Sequence, residues 1–270
     1  MPMLEAGILP CVTGFIASDQ AGNLTTLGRG GSDLTASIVG NATDATEVIL
    51  SKVESEKDSK EGFMTAWKPG WIGIVHQNNP NLTIKNMSFE EAGELGNLGR
   101  KVLHRHAVYP LLEKRIPIRI CNTLDGNHPG TLISDPQSGS FGSGQSLFGD
   151  PEKPVTEITM VELEKFNSLR TKDEPTLAPS GSGVFPAGST SSLYMVALIG
   201  KDIRSNDEVT EKAAQILSAH GIKQEVPGRD DFVSDNSMAF LVEQDKVEDA
   251  MSLLFEHFLR PPRRLPMDAF

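Results

Sequence analysis

Apolar positions along the chain fall into two rhythms, alternation at period two and stripes at helical spacing, and these rhythms predict the elements. Residues 8–17 are largely apolar with a glycine after Thr13, the pattern of a buried strand entering a turn. Leu34, Ala36, Ile38 and Val39 follow a glycine cluster and predict the start of a helix, and residues 47–50 predict a short strand. Residues 51–61 are charged, with Val53 their one apolar side chain, which predicts an exposed loop or insertion. Ser88-Phe89-Glu90-Glu91 has the spacing of a capping box, in which Ser88 caps the helix and Glu91 reaches back to its amide. Ala92, Leu95, Leu98, Val102 and Leu103 then continue at helical intervals. Residues 116–120 alternate as a strand, and Asn127-His128-Pro129-Gly130 reads as a turn.

The rhythm breaks at residue 134. Gly, Ser and Pro dominate 135–149 and 175–192, so 134–192 reads as a linker, with a short strand or helix over 155–166. The pattern returns at 193–199, a strand. Ser205-Asn206-Asp207-Glu208 predicts a second capping box, followed by Val209, Ala213, Ile216 and Leu217 on one helical face. Gly221 suits the position that ends this helix. Residues 222–226 and 238–242 are strand candidates, and Asp245 can cap a last helix that buries Val247, Met251, Leu254 and Phe258. The order β-α-β-β-α suits a two-layer domain over 193–260 with helices on one face of an antiparallel sheet, ahead of a tail at 261–270.

Composition narrows the functions open to such a chain. Its 270 residues are 38% hydrophobic and 23% charged, the balance of a soluble globular protein of one or two domains. The formal charge of −11 argues against a nucleic-acid binder, which needs a basic face, and Arg260, Arg263 and Arg264 read as a solubilising end. No apolar run reaches the roughly 20 residues that cross a bilayer, and the first residues lack the pattern of a signal or transit peptide. The expected compartment is therefore the cytoplasm, with a plastid location open if a transit peptide lies upstream. Cys11 and Cys121 sit in apolar, strand-like runs and are expected to be reduced core thiols. His104 and His106 are two apart and would diverge on a helix, so no metal site is expected from them.

Candidate chemistry concentrates in Thr25-Thr26-Leu27-Gly28-Arg29-Gly30-Gly31-Ser32-Asp33. Three glycines let a backbone approach a ligand closely and expose its amides. Arg29 offers a planar two-pronged clamp for a carboxylate or phosphate. Ser32 and Asp33 stand where a helix begins, so the amides there can face an anion. Composition alone equally allows a glycine-rich turn with a solvated arginine and an aspartate cap.

Val12-Thr13-Gly14-Phe15-Ile16 followed by this segment closely resembles the signature of the aspartate kinase family. The resemblance continues through residues 88–95, Gly99-Arg100-Lys101-Val102-Leu103-His104, residues 116–123 and Pro129-Gly130-Thr131-Leu132-Ile133. It implies an α/β architecture: part of a three-layer, carbamate-kinase-like amino-acid-kinase domain over 1–133, then a small α+β, ferredoxin-like ACT-like domain over 193–260. It also implies transfer of the γ-phosphoryl group of ATP, with Mg2+, to the side-chain carboxylate of L-aspartate, toward lysine, threonine and methionine. By the same resemblance Arg29 and Ser32 bind aspartate with Thr26, Phe15 lines its pocket, Asp33 organises the phosphates or nearby cations, and Lys68 and Lys101 meet the nucleotide. Glutamate or acetylglutamate kinases are the nearest rivals, and the Arg29 to Asp33 run with the ACT-like end favours aspartate.

Three departures from the family pattern stand out. The family's N-terminal loop of the K-F-G-G-T-S type does not occur in this sequence. Trp67-Lys68 keeps part of the nucleotide segment without its aspartates, and the linker stands where a first ACT-type domain is expected. Phosphoryl transfer relies on positioning and charge neutralisation, so the chain alone is expected to have little kinase activity. Pairing with itself or with a full-length aspartate kinase through the ACT-like domain, as a non-catalytic regulatory subunit, is the alternative role; a degenerate paralogue is another.

Overall fold

The computed structural model describes residues 2–28, 30–52, 74, 76–78, 82–98, 103, 106–123, 129–135, 154–169, 192–226 and 235–259. It divides into two units, residues 1–149 and 150–270.

The first unit opens with a short helix, α1 (Pro2–Glu5), and a hairpin of β1 (Ile16–Ser18) and β2 (Leu24–Thr26). Asp19 closes that hairpin by accepting from the amides of Ala21 and Asn23 and from the Asn23 side chain, and these bonds hold its carboxyl below the ordinary value. The expected buried strand over 8–17 does not form. Residues 8–14 lie outside any element, and Ile8, Leu9, Val12 and Ile16 are exposed. Cys11 is exposed with them, contrary to the expectation of a core thiol, because the run makes no strand pairing before Ile16.

After the glycines comes α2 (Gly31–Ala42), then β3 (Val48–Lys52), as the periodicity predicts. Short β4 (Asn86–Met87), α3 (Phe89–Asn97), α4 (Tyr109–Leu112), β5 (Ile118–Asn122) and β6 (Thr131–Ile133) follow among the described residues. The sheet runs β3-β5-β6-β4, with β3 parallel to β5, β5 antiparallel to β6 and β4 parallel to β6. Helix α2 packs on β3 and α4. Val48, Leu50, Ile118, Ile120 and Ile133 fill the core beside it. Thr131 ties three segments together: its hydroxyl donates to the Ile84 carbonyl and accepts from the Ile74 amide.

The capping box at α3 forms with both bonds. The Ser88 hydroxyl accepts from the Glu91 amide at 3.1 Å, and the Ser88 amide donates to the Glu91 carboxylate at 2.8 Å. Both residues are buried, so Ser88→Ala strands a carboxylate and an amide, and urea unfolding should show a loss of about 1–2 kcal/mol. A loss below a few tenths would mean that water satisfies these groups. The helix stops at Asn97, and Val102 lies outside the described residues.

The second unit is an antiparallel sheet of β7 (Glu157–Glu162), β8 (Leu193–Ile199) and β9 (Ser237–Glu243) in that order. Residues 155–166, expected within a linker, supply both β7 and the start of α5 (Leu163–Leu169), and β7 is hydrogen-bonded to β8 along its whole length. An apolar run this short fits either period, and the sheet edge decides it as a strand. Helices α6 (Asp207–Ala219) and α7 (Val247–Phe258) pack together, and α7 lies on all three strands. Register sets Ile158, Leu198 and Met238 in one row and Met160, Val196 and Phe240 in the next. The Thr210 hydroxyl reaches the Met238 sulfur, which places α6 on this face.

Several local expectations shift by a residue or two. Asn206, not Ser205, caps α6 by accepting from the Val209 amide, because Ser205 ends a 3-10 turn over Ile203–Ser205. Asp245 caps nothing; it sits in a 3-10 turn over Gln244–Lys246 that leads into α7. Phe255 is buried where Phe258 was expected, and Phe258 is half-buried. Gly221 has φ +70° past the end of α6, as its cap position requires. The strand expected over 222–226 reduces to one bridge, Glu225 to Leu241.

Candidate functional site

The glycine segment bends twice before α2. Gly28 and Gly30 both have φ +79°, a region closed to most side chains, and the Gly31 and Asp33 amides donate back to the carbonyls of Gly28 and Gly30 at 3.0 Å. Two of the amides expected to face an anion are therefore engaged inside the turn. Any anion held here draws more on side chains than the sequence pattern suggests.

Two side chains meet here from different elements, α2 and β3. Asp33, in the first turn of α2, is nearly buried and favoured there by the helix dipole. Lys52, the last residue of β3, places its ammonium 2.6 and 2.7 Å from the two carboxylate oxygens of Asp33. Their side chains are 24% and 13% exposed, so water reaches the pair from one side. The Lys52 carbonyl accepts from the Thr123 amide, and Lys52 stands opposite Asn122 in the parallel ladder. The pair thus sits at the carboxyl end of two parallel strands, where open α/β sheets characteristically bind ligands.

Phe15 is tied to the head of α2. Its φ of +74° is a left-handed conformation that costs a non-glycine residue about 1–2 kcal/mol. Two bonds hold it there: its amide donates to the Thr35 hydroxyl at 3.3 Å, and its carbonyl accepts from the Leu27 amide at 2.8 Å. The Thr35 hydroxyl in turn donates to the Gly31 carbonyl, so one threonine locks the Phe15 strand to the head of α2. Ser32 is exposed and lies against Gly14, where an added Cβ would stand 3.1 Å from its hydroxyl. Thr26 ends β2 opposite Ile16, exposed, one residue along from Phe15.

Of the expected site residues, Phe15 is bonded to Thr35 of α2, Thr26 stands opposite Ile16, Ser32 lies against Gly14 and Asp33 is paired with Lys52. Arg29, Lys68, Lys101 and His104 lie outside the described residues, and His106 is exposed. Sequence reasoning missed Thr35 and Lys52. The first is one helical turn beyond Gly31, and the second was assigned to an exposed loop although β3 runs through it. Cys121 is half-buried on β5, and burial pushes its thiol up, which disfavours the reactive thiolate. Among the described residues there is no group of three His, Cys, Asp or Glu placed to hold a metal. Asp33 is committed to an ammonium, so this donor set does not fit a resident Mg2+ ion. None of the described helices is long and apolar enough to cross a membrane.

Residues 1–55 match the amino acid kinase family. Aspartokinase 1, chloroplastic, of Arabidopsis thaliana is 35% identical over 127 residues, which are 47% of this chain and 20% of that protein. The aspartokinase of Geobacillus stearothermophilus is 26% identical across 94% of this chain and 67% of its own length. The chain thus spans about a fifth of the plant relatives it matches. In fold it resembles E. coli aspartokinase III, solved with aspartate and ADP, at a TM-score of 0.60 and 20% identity over 92% of this chain and 60% of that one. The aspartate kinase of Clostridium acetobutylicum is similar at a TM-score of 0.59, with 22% identity over 91% of this chain and 62% of that one. These are mixed α/β proteins like the present one, which the chain resembles in fold, while about half of its length is similar in sequence to aspartokinases.

Proposed function

We propose that this chain serves the ATP-dependent phosphorylation of the side-chain carboxylate of L-aspartate, giving 4-phospho-L-aspartate and ADP in lysine, threonine and methionine biosynthesis. The observation that carries the reading is the Asp33–Lys52 pair at the carboxyl end of β3, with Asp33 next to Ser32 in the first turn of α2. In the transfer, a carboxylate oxygen of aspartate bonds the γ-phosphorus as the bond to the β-γ bridging oxygen breaks, and ADP leaves with that electron pair. No proton has to move, so the protein's task is positioning and charge compensation.

Arg29, Ser32 and Thr26 would hold the aspartate, with the Phe15 ring closing its pocket, while Lys68 and Lys101 would meet the nucleotide. Asp33 would orient cationic groups toward the phosphates. Mg2+ would arrive with ATP, bound by phosphate oxygens and water. The described residues place one ammonium beside Asp33, and phosphoryl transfer draws on several charge-stabilising groups, so turnover by the chain alone should be slow. We assign the reaction to the cytoplasm, with the plastid as the alternative suggested by the chloroplastic relatives.

The second unit fits a regulatory, ACT-like module, supported by its antiparallel sheet and the helices α6 and α7 on one face. Through it the chain would pair with a copy of itself or with a full-length aspartate kinase, and in the second case it acts as a regulatory subunit.

Trapping aspartyl phosphate as the hydroxamate, with MgATP and aspartate, tests the reading. A slow rate is expected from the chain, and Arg29→Ala should lower it about 100-fold or more, the scale of losing one charge-stabilising donor. A rate indifferent to Arg29→Ala would refute the assigned site. Absence of turnover by the chain alone, together with an unchanged rate when it is added to a full-length aspartate kinase, would refute the reading.

A further inference from the structure

We propose that Lys52 contacts the phosphates of the nucleotide directly, and that Asp33 is its positioning residue. This rests on the reading above and adds a phosphate-binding group to it.

Three features of the ammonium support the assignment. First, a lysine ammonium carries three protons, and the bonds to the two oxygens of Asp33 use two of them. The third can meet a phosphate oxygen without the pair coming apart. Second, the side chain is 24% exposed while its base is fixed: the Lys52 carbonyl accepts from Thr123, and the residue pairs with Asn122 across the ladder. A group held at its root, with its side chain partly exposed to water, suits a ligand that comes and goes. Third, the backbone offers less than expected, since the Gly31 and Asp33 amides are spent within the glycine turn. An anion lodged here needs a side-chain cation, and β3 delivers one to the first turn of α2.

Asp33 explains why that cation stays in place. A free lysine samples many rotamers and would lose that freedom on binding. The carboxylate of Asp33 fixes the ammonium beforehand at the head of α2. The same negative charge opposes a phosphate, so the pair trades attraction for position. This separates the two residues experimentally: removing Lys52 removes a contact, whereas removing the charge of Asp33 leaves the cation present and misplaced.

The test compares ATP with AMP, because only the β- and γ-phosphates distinguish them. Isothermal titration of the full chain should show that Lys52→Met weakens ATP binding on the order of 10–100-fold, the worth of one charge-assisted hydrogen bond, with AMP binding unchanged. Lys52→Arg should restore most of the ATP preference. Asp33→Asn should also lower the ATP-to-AMP ratio, by less than Lys52→Met. Mass spectrometry of the wild-type chain supplies a readout independent of any variant's folding: ATP should slow reductive methylation of Lys52 several-fold, and AMP should not. An ATP-to-AMP ratio unaltered by Lys52→Met, or methylation of Lys52 indifferent to ATP, overturns this proposal and leaves the kinase reading standing. A wild-type chain that binds neither nucleotide overturns both.

Discussion

Gly130→Ala should destabilise the first unit by about 2–4 kcal/mol, from backbone strain and steric overlap together. Gly130 has φ +66°, and a Cβ built on it would overlap the carbonyl oxygen of Ile120. That oxygen belongs to the backbone of β5 and has no rotamer through which to escape. Either the turn before β6 or the end of β5 must shift. A shift of the turn moves Thr131, whose hydroxyl joins Ile74 and Ile84, and a shift of β5 moves Cys121 and Asn122, which stand opposite Ser51 and Lys52. The damage should therefore reach the site as well as the stability. Urea unfolding should show a lower midpoint at unchanged slope, accompanied by weaker ATP binding. Gly93→Ala is the matched control: it sits inside α3 with nothing within 4 Å of the added carbon, and should stabilise by up to about 1 kcal/mol. Equal midpoints for the two variants would show that the turn yields freely.

What sequence could foretell here depended on the range of the interaction. The box at Ser88 and Glu91, the helix after the glycines and the stop at Gly221 are each decided within a few residues, and each forms as expected. The bend at Gly28 and Gly30 belongs to the same class, and so the head of the site could be read directly. Lys52 could not be. Its contact with Asp33 spans 19 residues and exists only because α2 packs on β3, while the local pattern around it is a charged run that reads as loop. The expected strand over 8–17 failed for the complementary reason. Apolar character alone does not bury a segment, and here those side chains remain exposed. At β7 the decision lay with a partner distant in sequence: six consecutive pairs to β8, from Glu157–Ile199 to Glu162–Tyr194, settle what a short apolar run leaves open. Phe15 combines both cases. Its place in the motif was legible, but its left-handed backbone depends on Thr35 and Leu27.

In the second unit the largest loss should follow Phe240→Ala, about 3–5 kcal/mol. Phe240 is fully buried in the middle of β9, opposite Val196 and in the row with Met160, on the face that α6 covers at Met238. Removing its ring leaves a cavity among residues tied to strand backbone, which cannot collapse to fill it. A domain is commonly stable by about 5–15 kcal/mol, so this single change can consume much of the unit's margin. Val226→Ala, at a half-exposed position beyond the Glu225 bridge, should move stability by no more than about 0.5 kcal/mol. The pair of variants also tests the role assigned to this unit. If association runs through it, sedimentation should show Phe240→Ala losing the paired species above its unfolding midpoint while Val226→Ala retains it. A paired species that persists after near-UV dichroism reports the loss of packing around Phe240 would place the contact elsewhere and remove the regulatory reading of this unit.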